Sequence, residues 1–443
     1  MTYPRYPKHR DSGVEWLGDV PEGWGVKKVG FCCDFYTGWT PPTGDESSYD
    51  GDLPWANISD IGPKFLTETA KRISMSAVRK HKIRIAPNGS LLFSIKLSVG
   101  QVSIAAVPMY TNEAIAIFQS SANILSRWAY YTVPICIPKN ASENIYGAKM
   151  LNQYLIKSAK IVLPPIEEQH AIAAFLDAET ARIDALIAEY ETLIELLKEK
   201  RQALISQAVT KGLNPDVPMK DSGVEWLGEV PEGWKPIPLH SMSSDSNSLF
   251  IDGDWIESKD LSDTGIRYIT TGNVGEGFYK EQGAGFISEE TFVDLRCTKV
   301  KPGDILISHL NIPIGRSCII PEFFGYMVTS VDNVIFRPDR DFSRQFITYM
   351  LSSKAHLANM ENLARGTTMQ RISRSTLGSA KFCMPPPEEQ HAIVAFLDAE
   401  TARMDTLVQE AENGINLLRE RRMTLISDAV TGKIDVRDWK ETM

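Results

Sequence analysis

The 443-residue sequence is poor in cysteine, and its six cysteines follow no pattern that zinc or a disulfide framework requires. No pair forms a CxxC unit, and none stands at a spacing to histidine that suits zinc. The sequence therefore predicts buried free thiols in a reducing compartment. The thiols belong to Cys32, Cys33, Cys136, Cys297, Cys318 and Cys383.

Long apolar runs are missing as well. No stretch reaches the roughly 18 apolar residues of a membrane span, and residues 1–5 lack the apolar core of a signal peptide. With 43% apolar and 23% charged residues, the chain can still fill the cores of two or three globular domains. We therefore expect a cytoplasmic protein without a membrane partner.

The sequence also lacks a cluster of residues that would mark a catalyst. Glycines within residues 272–277 miss the GxGxxG spacing of a dinucleotide loop. His170 and His391 hold matching places at two helix starts, where capping or packing explains them better than catalysis. The nearest set for a metal-dependent nuclease is Pro215-Asp216 with Glu257-Ser-Lys259, which spans a strap and a domain with poor strand context. We predict no catalytic residue, no metal site and no cofactor-binding site in this chain.

What the sequence does contain is one long helix, twice. At an offset of 221, residues 167–210 and 388–431 are identical at 30 of 44 positions. Each copy follows prolines and opens with two glutamates, which the positive end of a helix dipole favours. Because such a repeat requires two equivalent elements, it excludes a single-domain chain.

Apolar residues recur at every seventh position of both helices, which is the period of a coiled coil. One such helix alone would expose its apolar stripe, so we expect the two copies to pair within the chain. An ordinary core helix and a homodimerisation zipper are the alternatives. Gly414 should weaken the second helix by about 1 kcal/mol relative to alanine. The predicted coiled-coil core comprises Leu176, Ile183, Tyr190, Leu197, Leu204, Leu397, Met404, Ala411, Leu418 and Leu425.

A second repeat precedes each globular region. Residues 11–24 return as residues 221–234, with 13 of 14 positions identical. Proline and glycine in this strap argue against regular structure, whereas its two tryptophans per copy require burial. We predict an ordered strap that packs on a helix end or on a globular face.

The regions between strap and helix differ in most residues but keep one skeleton of short apolar runs bounded by turn residues. Residues 89–94 correspond to 303–308. The second of these regions carries a predicted helix at 344–364, and the first carries a shorter counterpart near 126–131. The predicted fold class is therefore α+β, with two mixed α/β domains separated by a long intramolecular antiparallel coiled coil in a pseudo-two-fold internal repeat. The predicted segments are a strap at 1–24, a domain at 25–162, a helix at 163–212, a strap at 213–234, a domain at 235–383, a helix at 384–431 and a tail at 432–443.

Charge is distributed unevenly along the chain, although the net charge is −9. Residues 167–201 carry nine acidic and four basic side chains, whereas residues 64–101 carry eight basic and one acidic. Residues 337–381 repeat the basic excess, with eight basic and three acidic side chains. Two basic regions joined by acidic helices fit a protein that binds a polyanion at two places, although solvated charged faces would give the same pattern.

The side chains best suited to DNA lie in two basic stretches and two equivalent turns. Arg, Lys, Gln and Asn fit base edges in the major groove, while Thr and Ser suit phosphates. For any one of them a solvated turn residue is the simpler explanation, and the binding hypothesis rests on the set. The candidate DNA-binding residues are Arg79, Lys80, Lys82, Lys96, Gln101, His309, Asn311, Arg316, Arg365, Thr367, Thr368, Gln370 and Arg371.

Over essentially its whole length the sequence resembles the specificity subunits of type I restriction-modification enzymes. The resemblance is carried by the repeated Pro-Glu-Gly-Trp strap, the Pro-Pro entry followed by Glu-Glu-Gln, the long helix, and Gly-Asp-Ile-Leu-Ile-Ser at residues 303–308. Gly89-Ser90 departs from that motif at the equivalent place in the first domain. The resemblance implies two target recognition domains, each reading one half of a bipartite DNA site across a spacer.

The resemblance also implies partners. An antiparallel helix pair would set the spacer and dock two methyltransferase subunits that use S-adenosylmethionine to methylate adenine. Restriction subunits driven by ATP, with magnesium, would translocate and cleave the DNA, so this chain would not be an enzyme by itself. The alternatives are a self-contained DNA endonuclease and a non-catalytic coiled-coil scaffold.

Overall fold

The computed structural model describes residues 3–42, 44–143, 147, 149–283, 285–322, 325–366 and 370–440. The chain divides into two compact units: Met1–Tyr190 with Asn413–Met443, and Glu191–Glu412. Each unit therefore contains one strap, one α/β domain and one part of each long helix.

The two long helices lie where the sequence predicts them. The helices in chain order are α1 (Met75–His81), α2 (Ser126–Cys136), α3 (Gln153–Ser158), α4 (Ile166–Lys211), α5 (Glu289–Asp294), α6 (Arg344–Leu351), α7 (Lys354–Leu363), α8 (Arg374–Ser379) and α9 (Pro387–Val430).

The strands are short and fall mainly between the straps and the long helices. In the first unit they are β1 (His9–Asp11), β2 (Asp19–Pro21), β3 (Gly25–Lys28), β4 (Phe35–Thr37), β5 (Leu53–Ala56), β6 (Phe65–Leu66), β7 (Lys71–Ile73), β8 (Leu91–Ser94), β9 (Val102–Ala105), β10 (Tyr110–Thr111), β11 (Ile115–Phe118), β12 (Ser142–Glu143), β13 (Lys149–Met150) and β14 (Lys160–Leu163). In the second unit they are β15 (Met219–Asp221), β16 (Glu229–Pro231), β17 (Lys235–Pro238), β18 (Leu249–Asp252), β19 (Leu261–Ser262), β20 (Ile266–Ile269), β21 (Gly285–Ile287), β22 (Ile305–Ser308), β23 (Ser317–Ile319), β24 (Met327–Thr329), β25 (Asn333–Arg337) and β26 (Lys381–Met384).

The two domains share most of their sheet topology, and each has one strand, β6 or β19, that the other lacks. The larger sheet has the order β4-β11-β8-β9-β6 in the first unit and β18-β25-β22-β23 in the second. A second sheet has the order β10-β5-β7 in one unit and β19-β21-β20-β24 in the other, with one parallel pair in each. The predicted α+β class with an internal repeat is confirmed, and the apolar runs that carried the prediction form the buried strands β8, β11, β22 and β25.

A buried glutamine ties each domain to the start of its long helix. Gln169 is fully buried; its Oε1 accepts from the backbone N–H of Leu125 at 3.0 Å, and its Nε2 donates to the Pro164 carbonyl at 3.0 Å. Gln390 repeats both bonds with Ser343 and Pro385. Leu125 and Ser343 are the residues just before α2 and α6, so the Glu-Glu-Gln motif joins two helix starts.

The glutamate before that glutamine holds the strap. The indole N–H of Trp24 donates to Glu168 at 2.9 Å, and that of Trp234 donates to Glu389 at 3.1 Å. Both indoles are buried, which confirms that the strap packs on a helix end. The expectation of no regular structure in the strap is wrong, because β1 pairs with β2 and β15 with β16 in short antiparallel ladders.

The domain helix that follows the larger sheet also contacts the long helix. Tyr131 of α2 donates to Asp177 at 2.6 Å, and Tyr349 of α6 donates to Asp398 at 2.6 Å. In the first unit Lys64 and Arg127 also bind Asp177. Burial disfavours the charged carboxylate, but the hydrogen bonds that Asp177 accepts outweigh burial and hold its pKa below the usual value.

Two sequence expectations need correction or explanation in the second domain. The single helix expected at 344–364 is two helices, because Ser352 ends α6 and the Ser353 hydroxyl caps α7 by accepting from the His356 N–H. The buried Asp304 forms a two-pronged ion pair with Arg337, both contacts at 2.7 Å. In the first domain Ser90 and Gln119 stand at these two places, so both partners differ together.

The parts of α4 and α9 within each unit pair antiparallel. In the first unit Asp184 accepts from Arg422 at 2.8 Å, and Tyr190 lies against Gly414. In the second unit Arg201 lies 3.7 Å from Asp405. Among the predicted core residues, Leu176, Ile183, Leu197, Leu397, Met404, Ala411 and Leu425 are buried, and Tyr190, Leu204 and Leu418 are partly buried.

Gly414 makes room for an aromatic ring. A Cβ at this position would lie 3.2 Å from the Tyr190 ring carbon Cζ, and α9 continues through the glycine without a break. The glycine that lowers helix propensity thus lets the two helices approach closely at the tyrosine. At Gly414 the low helix propensity of glycine therefore opposes the close packing that glycine permits against Tyr190.

The residues that the structure describes contain neither a metal-ligating cluster nor a membrane-spanning helix. No group of three or more His, Cys, Asp or Glu side chains among them could hold a metal ion. No helix there is long and apolar enough to cross a membrane. All six cysteines are free; five are buried and Cys33 is partly buried.

The Tyr190–Gly414 contact generates a stability prediction. Replacing Gly414 with leucine should lower the free energy of unfolding by about 1–3 kcal/mol, because overpacking against the ring outweighs the gain in helix propensity. Asn416→Leu on the exposed face of the same turn is the matched control and should change stability by less than about 0.5 kcal/mol. Urea unfolding of the purified chain measures both, and equal stability of the two variants would contradict the packing role.

Candidate nucleic-acid interface

Each domain carries a tight turn between two strands of its larger sheet, and the same hydrogen bonds hold both turns. We call residues 94–101 the first turn and residues 308–316 the second turn. In the first, the Gly100 N–H donates to the Ser94 carbonyl at 3.2 Å, and in the second the Gly315 N–H donates to the Ser308 carbonyl at 2.8 Å. The serine hydroxyl donates to the carbonyl two residues on, at 3.0 Å in each turn.

Two candidates in the second turn are part of its framework. Arg316 is 8% exposed, and its guanidinium donates to the carbonyls of Val274, Asn311 and Pro313 at 2.9 Å each and of Thr271 at 3.0 Å. Burial lowers the pKa of this arginine. The guanidinium organises the turn and is not presented at the surface.

His309 is likewise buried. Its Nε2 lies 2.8 Å from the Val331 carbonyl, and burial lowers the pKa of the imidazole. The buried ring therefore binds the backbone and supports the turn. The sequence could not separate His309 and Arg316 from their exposed neighbour Asn311, because all three have side chains that suit a base edge.

The structure brings the second turn together with the basic loop, residues 365–371. The Asn311 N–H donates to the Gln370 carbonyl at 3.1 Å, and the Ile372 N–H donates to the His309 carbonyl at 3.0 Å. Arg365 and Arg371 exchange two backbone hydrogen bonds, at 3.0 and 2.9 Å. Thr367 and Thr368 lie outside the described residues.

This assembly exposes Asn311, Arg365 and Arg371 and leaves Gln370 half-buried. Arg371 lies 3.5 Å from the Asp332 carboxylate, and both belong to the lining of a cavity of about 350 Å³. Trp255, 68% exposed, lines the same cavity. No sequence pattern points to Trp255 or Asp332, since they lie far along the chain from the basic loop and from each other.

In the first domain the basic stretch forms the exposed end of α1. Arg79, Lys80 and Lys82 are exposed, and Lys82 ends the helix in the left-handed conformation, at φ 52°. The ring of His81 stacks on Trp39 with 4.1 Å between centroids, and the Arg84 guanidinium lies 3.6 Å above the Tyr36 ring.

Residues 39–40 connect the first turn with this basic end of α1. Lys96 and Gln101 are exposed, and the Lys96 ammonium lies 4.0 Å from the Glu113 carboxylate. Glu113 also accepts from Thr40, the neighbour of Trp39. The first turn and the end of α1 therefore connect through residues 39–40 in one exposed, basic region.

The residues considered for catalysis, Asp216, Glu257, His170 and His391, form no common site among the residues that the structure describes. The exposed Glu257 pairs with Lys259 at 2.5 Å and accepts from the Trp255 indole at 3.3 Å. The backbone N–H of Asp216 donates to the side-chain oxygen of Asn214 at 3.0 Å. His170 and His391 are exposed beside the buried glutamines that make the helix-start contacts.

The sequence is similar to one family of proteins in both of its halves. The family model for the type I restriction modification DNA specificity domain matches residues 21–196 and again residues 231–417. The specificity subunit of type I restriction enzyme MjaVIII from Methanocaldococcus jannaschii is 23% identical over 432 residues, covering 95% of both chains. The EcoKI specificity subunit of Escherichia coli K12 is 22% identical over 447 residues, covering 96% of this chain and 91% of the relative.

Solved structures share the fold. A chain from a study of complex assembly and conformational transition of the type I R-M system matches with a TM-score of 0.71 at 16% identity, covering 93% of this chain and 98% of that one. The HsdS subunit from Thermoanaerobacter tengcongensis matches with a TM-score of 0.54 at 16% identity, covering 94% and 98%. Because the family model matches both halves of the sequence, the protein belongs to the type I restriction-modification DNA specificity family, whose members are the non-catalytic subunits that recognise the DNA sequence.

Proposed function

We propose that each domain reads one half of a bipartite DNA target. The observation that carries this proposal is the duplicated turn: two turns of eight and nine residues, held by matching serine and glycine hydrogen bonds, present different side chains in the two domains. Lys96 and Gln101 are exposed in the first turn, whereas Asn311 is exposed in the second beside Arg371. Two equivalent supports with different exposed donors suit two different half-sites.

The chemistry of the exposed groups fits duplex DNA. Arginine and lysine neutralise phosphates, and asparagine, glutamine and arginine can bind base edges in the major groove. Arg79, Lys80 and Lys82 lie on one short element, where three cations would make a strong, salt-dependent contact with the phosphate backbone. Arg371 lies 3.5 Å from Asp332 and its side chain is 47% exposed, so its guanidinium can face a base or a phosphate.

We further propose that the pair of long helices sets the spacer and docks two methyltransferase subunits. The helices keep exposed apolar side chains that a partner would cover: Leu186 and Leu417 in the first unit, and Leu193, Leu196 and Leu407 in the second. In this proposal S-adenosylmethionine, ATP and magnesium act in the partner methyltransferase and restriction subunits. A self-contained endonuclease would instead cut DNA when this chain alone is supplied with magnesium.

Exchange of one domain tests the proposal directly. Replacing residues 25–162 with the corresponding domain of a relative should change one half-site and leave the other half-site and the spacer unchanged, because the two turns are separate structures. Mapping methylated adenines in cells that carry the chimaera and its methyltransferase reads the outcome. A change in both half-sites would refute independent reading.

The basic loop generates a second prediction. Replacing Arg365 and Arg371 with alanine should weaken DNA binding by roughly 1–3 kcal/mol if either reaches a base, and each lost phosphate contact should flatten the salt dependence by about one counterion. Binding of the assembled complex is measured at several salt concentrations.

Arg340→Ala with Lys354→Ala is the matched control. It removes the same two charges from exposed positions of the same domain, outside the loop. Equal losses in the two double variants would reduce the loop to a general electrostatic contribution.

The spacer hypothesis gives a third prediction. One heptad inserted at matching points of both helices keeps the apolar stripe and lengthens each helix by roughly 10 Å, at about 1.5 Å per residue. Since duplex DNA rises about 3.4 Å per base pair, the preferred spacer should grow by up to about three base pairs while both half-sites keep their sequences. An active enzyme that retains the original spacer in methylome sequencing would defeat the hypothesis.

A further inference from the structure

Leu97, at the tip of the first turn, combines two unfavourable properties. Its backbone lies in the left-handed region, at φ 59°, and its side chain is 91% exposed. The left-handed conformation places Cβ close to the carbonyl oxygen in any residue but glycine, and leucine has no polar side chain to offset this cost. Because the Leu97 side chain is exposed, packing within the protein does not offset the cost of this backbone conformation.

The backbone of the turn imposes this conformation, and the second turn shows the same device. The Ser94 hydroxyl binds the carbonyl of Lys96, the residue just before Leu97, as the Ser308 hydroxyl binds that of Leu310 just before Asn311. Asn311 lies at φ 61° and is also exposed. Asparagine is among the few non-glycine residues that adopt this region readily. One turn therefore carries a residue suited to the backbone, and the other carries a residue that is not.

When the contacts around an exposed residue force it into a strained conformation, the choice of that residue suggests a function. In this turn glycine or asparagine would stabilise the free protein, so leucine must contribute to something outside it. Asn311 supplies the comparison: it occupies the same position in a turn that we propose reads bases, and asparagine fits the edge of adenine. The equivalent position in the first turn then offers an apolar side chain to a base edge.

We propose that Leu97 is a specificity-determining residue that contacts the C5-methyl group of a thymine in the half-site read by the first domain. That methyl is the apolar group on the major-groove edges of the bases, and small apolar side chains recognise it by contact. Lys96, next to the leucine, and Gln101, at the end of the turn, are exposed and provide a phosphate partner and a second base-reading group. The proposal rests on the function proposed above.

The alternative use of an exposed leucine on DNA is as a wedge that unstacks a base step in the minor groove. In the second turn the left-handed position holds the polar Asn311, and the next residue, Ile312, is apolar and 57% exposed. The test below distinguishes the two uses, because a wedge in the minor groove does not touch the C5-methyl group in the major groove.

The test pairs a change in the protein with a change in the DNA. The target is first identified by methylome mapping, and each thymine of the two half-sites is then replaced singly by deoxyuridine, which removes the methyl alone. With the wild-type complex, one replacement in the first half-site should weaken binding roughly fourfold, the effect of losing burial of one methyl-sized group. Leu97→Ala should bind both versions equally, and replacements in the second half-site should affect both proteins alike.

Two further variants separate recognition from folding. Leu97→Gly and Leu97→Asn keep the turn and should raise the melting temperature of the chain, because they relieve the strain, while both lose the dependence on the thymine methyl. Leu97→Ala should leave the melting temperature near that of the wild type, since alanine keeps a Cβ in the strained region. If glycine and asparagine bring no stabilisation, the conformational cost is absent and the proposal loses its basis.

The outcomes distinguish this inference from the proposed function. A complex with no sequence-specific binding would refute the proposed function. A complex that binds specifically but ignores every thymine methyl of the first half-site, or a half-site without thymine on either strand, would overturn the role of Leu97 alone. Retention of the methyl dependence by Leu97→Ala would overturn it as well.

Discussion

A buried glutamine at the start of each long helix is the constraint on which each unit depends. Gln169 and Gln390 satisfy backbone groups that would otherwise be buried without partners, and an unsatisfied buried amide costs about 1–3 kcal/mol. Because the bonds reach both the domain helix and the proline-rich entry, they fix the angle at which the domain meets the long helix. The glutamate beside each glutamine adds the strap through a tryptophan indole.

The repeat divides the molecule into what is kept and what is varied. The glutamine, the glutamate, the tryptophan and the tyrosine–aspartate contact occur in both units with closely similar distances. The serine-held turn is also kept, although its exposed residues differ. The side chains that support the turns and the exposed side chains that we propose face DNA are thus different residues, which lets the exposed positions change without disturbing the sheet.

The sequence predicted the features that recur, since periodicity and identity between copies are visible without coordinates. Both long helices, the paired strands and the strap that binds a helix end follow from such patterns. It failed where burial decides the role: Arg316 and Asn311 suit DNA equally as residue types, yet one is enclosed by backbone carbonyls and the other is exposed. It also missed Trp255 and Asp332, which only the fold brings to Arg371.

Gly414 and Leu97 are both residue types that the local backbone conformation disfavours. In each case the explanation lies in what the residue contacts. Gly414 meets the Tyr190 ring, so a contact inside the protein accounts for a poor helix former. Leu97 meets solvent, and no contact inside its unit accounts for the strained conformation. When packing within the molecule is eliminated as the cause, a violated local rule points to a partner, and for Leu97 the partner that we propose is DNA.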